Sequence, residues 1–217
     1  MNKCPADFLW LFAFLHTSVG NAIIILYTWP IFTVVLSAVF LKEKLTRKKI
    51  LLVLLAFIGI FIVFANKEFS FANKDFLGMS AMLISASLSA ITTIFFKKEL
   101  TNYSKYQLIF YQNAAGAIIF LPFLLINKPF PALPQVTVAS IYSLIVGLIA
   151  FILWFSALKK TNASTVAIIS YIEVVSALLL SALILKEAIT WNMAVGGTII
   201  LGVSYFAKKI EVIPLTE

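Results

Sequence analysis

Glu173 is the one carboxylate inside the apolar run "YIEVVSALLLSALILKE", residues 171–187. On insertion scales a charged side chain in mid-span costs about 2–3 kcal/mol or more, so acids that persist there usually face an internal cavity and mark a path for solute or protons. Ser170, Glu173, Ala177 and Ser181 follow the 3–4 helical spacing and share one small, polar face that is expected to point into a bundle. A carboxyl held out of water there can trade a proton during a transport cycle. Its alternative role is structural, a neutral acid hydrogen-bonded to a neighbouring helix. An earlier run, "YTWPIFTVVLSAVFLKE" at 27–43, has nearly the same layout with Trp29 at the position of Glu173 and Pro30 beside it. Pro30 removes a backbone hydrogen bond and bends its helix, which frees a carbonyl for a solute or shapes packing. Tyr27 and Tyr171, Trp10 and Trp154, and the mid-span pair Gln112 and Asn113 complete the candidate binding or coupling residues. Amide side chains in a lipid-embedded helix must find partners.

Other chemistry is poorly served. The chain has one cysteine, Cys4, and one histidine, His16, so neither an internal disulfide nor a zinc cluster is expected. No paired acids, nucleophile–base set or phosphate-cradling glycine loop lies in the apolar runs, so no catalytic residue, metal or cofactor is expected. Glu43 and Glu187, beside Lys42 and Lys186, read as interfacial charges at helix ends. Ala81, Ser85 and Ser89 recur every four residues and read as a close helix-packing face.

The elements that must position these residues are membrane helices. Of 217 residues, 62% are hydrophobic and 12% charged, against roughly 45–50% and about 25% in a soluble domain. The mean hydropathy is +1.03. The net charge of +8 fits lysines gathered on cytoplasmic loops better than a nucleic-acid surface. An α-helix needs roughly 20 apolar residues to cross a bilayer. That ruler predicts eight segments, at about 5–22, 23–41, 50–65, 76–96, 106–126, 138–158, 163–185 and 192–207, with the proline-rich "NKPFPALPQ" at 127–135 as a loop. The start, "FLWLFAFL" after Lys3, resembles a signal peptide only weakly. If residues 42–49 are cytoplasmic, alternation puts Lys3, Lys42, Lys44, Arg47, Lys48, Lys49, Lys97, Lys98, Lys105, Lys159, Lys160, Lys208 and Lys209 on that side. Only Lys67, Lys74, Lys128 and Lys186 fall outside. That bias favours eight spans with both termini inside an inner or plasma membrane.

Residues 6–46 align without a gap on 150–190, an offset of 144, and 15 of 41 positions are identical, including Trp10 with Trp154 and "LKE" with "LKE". Chance in so apolar a chain gives roughly four. The copies begin five helices apart, an odd number, which turns the second upside down. Inverted repeats of this kind build secondary transporters, with the site near the midplane between them. The helices at 76–96 and 106–126 have no counterparts before Met1, so the complete unit is expected to be five plus five helices, with roughly 70 residues missing.

At this point the residues resemble a known family. Pro30, Glu43, Leu45, Thr46 and Gly59 in the first copy, and Trp154, Ala157, Tyr171, Glu173, Glu187, Thr190, Gly196 and Gly202 in the second, are similar to the EamA-type signature of the drug/metabolite transporter superfamily. Val174 departs from it, standing where many relatives have proline. The resemblance implies an all-α polytopic membrane protein, the remainder of a 5+5 inverted-repeat transporter. Residues 1–65 would supply the last three helices of the first repeat and 76–210 the five-helix second repeat. It also implies movement of small organic solutes such as amino acids, other metabolites or drugs by alternating access. The alternative is a truncated or partner-dependent member without transport activity of its own. Expected partners are a small-molecule solute, the lipid bilayer and a second copy of the chain, with no nucleic acid.

Overall fold

Long apolar runs without water have one economical way to satisfy their backbone, the helix, and helices are what the chain forms. The computed structural model describes residues 5–65, 73–126, 133–184, 186 and 188–212. In chain order they are α1 (Pro5–His16), α2 (Val19–Leu26), α3 (Trp29–Phe40), α4 (Arg47–Val63), α5 (Asn73–Glu99), α6 (Lys105–Ile126), α7 (Leu133–Leu144), α8 (Phe151–Lys160), α9 (Ala163–Ser170), α10 (Ile172–Ile184) and α11 (Trp191–Val212). A six-residue π-helical turn, Ile145–Ala150, joins α7 to α8. Among the described residues no strand occurs.

Four helical stretches are long and apolar enough to cross a membrane: Gly20–Phe40, Asp75–Glu99, Leu133–Lys160 and Ala163–Ile184. The other expected segments lie on α1, α4, α6 and α11. Two of the boundaries that move are informative. The first segment ends at His16 rather than residue 22, because Ser18 starts a new helix, its side chain accepting from the Asn21 N–H at 3.3 Å. The span expected from 138 begins at Leu133, inside the proline-rich stretch, whose residues 127–132 lie outside the described residues.

Positions 144 apart share local structure. The helix break at Tyr27–Thr28 has its counterpart at Tyr171. At both, backbone hydrogen bonding tightens by one residue: Thr28 N–H donates to the Ile25 carbonyl at 3.1 Å and Tyr171 N–H to the Ile168 carbonyl at 3.4 Å. Pro30 falls in the first turn of α3, where a missing N–H costs little. The second break forms without a proline, Val174 holding that place. Lys42 and Lys186 both have φ of 56°, a left-handed conformation that side chains usually avoid. Thr46 and Thr190 both cap the following helix, accepting from Lys49 N–H at 3.3 Å and Met193 N–H at 3.4 Å.

The largest core gathers α2, α3, α4, α9, α10 and α11 around Val34, Ile60, Ile168, Tyr171, Val174 and Ile200. Within it α4 and α11 touch backbone to backbone. A Cβ on Gly196 would lie under 3 Å from the Gly59 carbonyl and from Val63, and one on Gly59 would lie 3.1 Å from the Gly196 carbonyl. Small residues at a crossing let helices approach this closely in a membrane, where dispersion replaces the hydrophobic drive. A second core, with Ile94, Leu108, Phe155 and Leu158, joins α5, α6 and α8. A third, Ala13, Ala22, Ala81 and Met82, seats α1 and α2 on the small face of α5, where Ala81 and Ser85 are buried as their spacing predicts.

Candidate functional site

The two helix breaks meet. Tyr171 is fully buried, and its hydroxyl donates to the main-chain carbonyl of Tyr27 at 3.0 Å. These residues are matched across the 144-residue offset, so the two breaks share one contact. The rings lie 6.1 Å apart in a tilted arrangement. The Tyr27 hydroxyl turns instead toward the Glu173 carboxyl. Glu173 opens the first turn of α10, directly after the break.

The orientation of α10 differs from expectation in one respect. Val174 and Val175 pack into the core, whereas Glu173 and Ala177 are exposed and Ser170 and Ser181 half-buried. Among the described residues this polar face is only partly covered. A carboxylate reached from outside, yet flanked by Tyr27 on an apolar helix, can accept a proton or a cationic group.

A second polar cluster lies at one end of the same helices. After α3 the left-handed turn at Lys42 reverses the chain, and the Glu43 N–H donates back to the Ser37 carbonyl at 3.2 Å. The Glu43 carboxylate is thereby aimed at the start of α9. It accepts from the Ala163 N–H at 2.6 Å, the Ser164 N–H at 3.1 Å and the Ser164 hydroxyl at 2.5 Å. Lys49, buried in the first turn of α4, donates its Nζ to Ser164 Oγ at 2.8 Å. A carboxylate at a helix N-terminus satisfies orphan N–H groups and meets the positive end of the dipole. Sequence reasoning assigned Glu43 to the interface and overlooked Lys49 and Ser164. Contacts 115 to 121 residues apart leave no local signal, although a lysine just inside an otherwise apolar helix was a hint.

The remaining candidates separate. Trp29 is half-buried and Pro30 buried at the start of α3. Trp154 packs against Phe151 and Phe155 in the second core, with ring centroids 6.4 and 5.1 Å away. Trp10 is carried by α1, but its side chain lies outside the described residues, as does Glu187. Asn113 donates from Nδ2 to the Ile109 carbonyl at 2.9 Å and to Gly147, in the π-helical turn, at 3.4 Å. With Gln135, Ser140 and Ser143 it lines an open groove of about 640 Å³ that neither Glu173 nor Tyr27 borders. Gln112 is half-buried on the same helix. The structure therefore brings together Tyr27, Tyr171 and Glu173, and leaves Trp154, Gln112 and Asn113 in other packing environments.

Comparison with known proteins agrees with this architecture. Residues 4–65 and 76–207 match the EamA-like transporter family. A protein of Archaeoglobus fulgidus named as an uncharacterized transporter is 28% identical over 200 residues, covering 89% of this chain and 70% of its own length. A similarly named protein of Clostridium kluyveri is 26% identical over 209 residues, 91% and 67%. A Bacillus subtilis protein named as the uncharacterized transporter YoaV is 27% identical over 186 residues, 83% and 63%. A solved crystal structure superposes with a TM-score of 0.80 at 20% identity, covering 94% of this chain and 74% of that one, which establishes the shared fold.

Proposed function

The chain belongs to the EamA-like transporter family, and on that premise we propose that this multi-pass membrane protein is a secondary transporter moving small organic solutes, amino acids or related metabolites, by alternating access. The observation that carries it is the meeting of two matched helix breaks beside an accessible carboxylate, Glu173 next to Tyr27. Interrupted membrane helices at the interface of two repeats are where secondary transporters place their sites. Tyr27, Tyr171 and Trp29 offer aromatic surface suited to an organic solute, and Glu173 offers a charge for its cationic group or for a coupling proton. Trp10, Trp154, Gln112 and Asn113 then serve as walls of the path or as packing. Residues 1–65 and 76–210 are the two repeat portions, supported by the shared break, left-handed lysine and threonine cap. We place both termini in the cytoplasm of an inner or plasma membrane, on the lysine distribution.

Uptake of radiolabelled amino acids and organic amines into proteoliposomes tests the proposal. The protein should accumulate at least one solute, with a pH-dependent rate, and Glu173→Gln should lose most of that uptake and its pH dependence. Equal uptake and equal pH dependence in the variant would remove Glu173 from the mechanism. The exposure of α7 along its whole length favours a second reading in which a further copy of the chain completes the bundle. Uptake per protein that falls as vesicles are diluted to one chain each would support it.

A further inference from the structure

We infer that Glu43, Ser164 and Lys49 form a latch that closes one mouth of the path past Glu173, and that its release exposes the path to that face of the membrane. The inference rests on the alternating-access reading above and identifies which contacts hold one of its two states.

Three elements converge at the latch: the end of α3, the start of α4 and the start of α9. The hydrogen bonds form one directed chain, ammonium to hydroxyl to carboxylate, because a serine hydroxyl accepts one bond while donating its single proton. Each link is charge-assisted. Behind it, α9 is buried from Ala163 through Ile168 and runs eight residues to the break at Tyr171. At 1.5 Å per residue that is a rod of about 12 Å. It carries the latch at one end and the Tyr171–Tyr27 contact, beside Glu173, at the other. A rearrangement at the break is thus delivered to the latch through a helix too short to absorb it by bending.

Among the described residues the matched end of the other copy differs. In the first copy α2 is capped by its own Ser18. In the second, Asn162 at the matched position makes no side-chain cap, and Glu43 from the other copy takes over. Shifting the latch residues by 144 gives Gly20 for Ser164 and Met193 for Lys49. Neither can reproduce the hydroxyl or the ammonium. The connecting residues are exposed at both ends, Lys42, Lys44, Leu45, Thr46 and Arg47 like their matches Lys186, Ala188, Ile189, Thr190 and Trp191, but Lys49 is buried where its match Met193 is only half-buried. Glu173 and Ala177, also exposed, lie on the helix leading toward that end. The structure is the state latched at the Glu43 face.

The test is side-specific cysteine labelling of the full chain in vesicles, in a Cys4→Ser background, with a membrane-impermeant maleimide. Ala167→Cys, buried one turn behind the latch, should label slowly from the Glu43 face. Adding Glu43→Gln or Lys49→Met should raise that rate roughly tenfold, the shift expected from losing one charge-assisted bond. In the same variants Ala177→Cys should label more slowly from the opposite face. Ser164→Ala, which leaves both charges in place, should act in the same direction with smaller effect and carries the test if the charge variants do not fold. An unchanged rate at Ala167→Cys, or equal acceleration at both positions, would overturn the latch. Labelling needs no solute, so a failure to find a transported substrate and a failure of the latch are read separately.

Discussion

Removing the Tyr171 hydroxyl offers a narrow test of how the two breaks are held together. Tyr171→Phe keeps the ring, which is fully buried among the core residues, and deletes a single 3.0 Å bond to the Tyr27 carbonyl. In a water-soluble protein the loss would combine about 0.5–1.5 kcal/mol for the bond with part of the desolvation cost of an orphaned carbonyl. In a membrane the disrupted state finds other partners, and measured interhelical bonds average about 0.6 kcal/mol with a maximum near 1.7. The membrane value governs here, and the expected loss is about 1 kcal/mol. For a chain of this size that lowers the melting temperature by about 2–4 °C. Tyr171→Ala should cost about 3–5 kcal/mol, because it removes the ring and leaves a cavity. Thermal unfolding in a single detergent, followed by the loss of helical circular dichroism, measures both. Tyr27→Phe is the control, because it leaves the Tyr27 carbonyl in place and removes only the hydroxyl facing Glu173. A Tyr171→Phe protein as stable as the native one, or as unstable as Tyr171→Ala, would refute the assignment of that bond as the pin between the breaks.

Other outcomes follow from the same geometry. Tyr27→Phe should change the pH dependence of uptake while shifting the melting temperature by less than Tyr171→Phe, since its hydroxyl serves Glu173 rather than the fold; matched effects on both would count against this. Gly196→Ala should destabilise by about 1–3 kcal/mol, because the new methyl meets the Gly59 carbonyl and both the backbone and the short side chain of Val63; equilibrium unfolding in mixed micelles checks it. Gly202→Ala, with nothing within 4 Å of its Cβ, should be nearly neutral and serves as its comparison. Lys97→Met should cost about 1–2 kcal/mol, as its Nζ donates to the Leu158 and Thr161 carbonyls at the end of α8, at 2.6 and 2.8 Å; protection of the α8 amides by hydrogen exchange should fall first.

The helical class was legible because lipid leaves few choices: runs of some twenty apolar residues with lysines between them read directly as spans. The pairing of "LKE" with "LKE" was visible as identical letters, and the structure gives both lysines the same left-handed turn. Less accessible was the start at Ser18, hidden between two apolar stretches that hydropathy merges. Glu173 stood out as an isolated acid, but its companion Tyr27 lies 146 positions away, and nothing local to either residue encodes their meeting. The latch was harder still. Its carboxylate looked like ordinary surface charge beside Lys42, and its receptor is the backbone of Ala163 and Ser164, which carries no sequence signature.

The close crossing of α4 and α11 has a mechanical consequence. Where two backbones rest on each other at Gly59 and Gly196, the side chains of Val63, Ile199 and Ile200 close around the point of touch, so a slide of either helix drives those side chains into the opposing one. The contact works as a clasp. Neither glycine has room for even one more methyl, so the two helices are held at a single register and spacing.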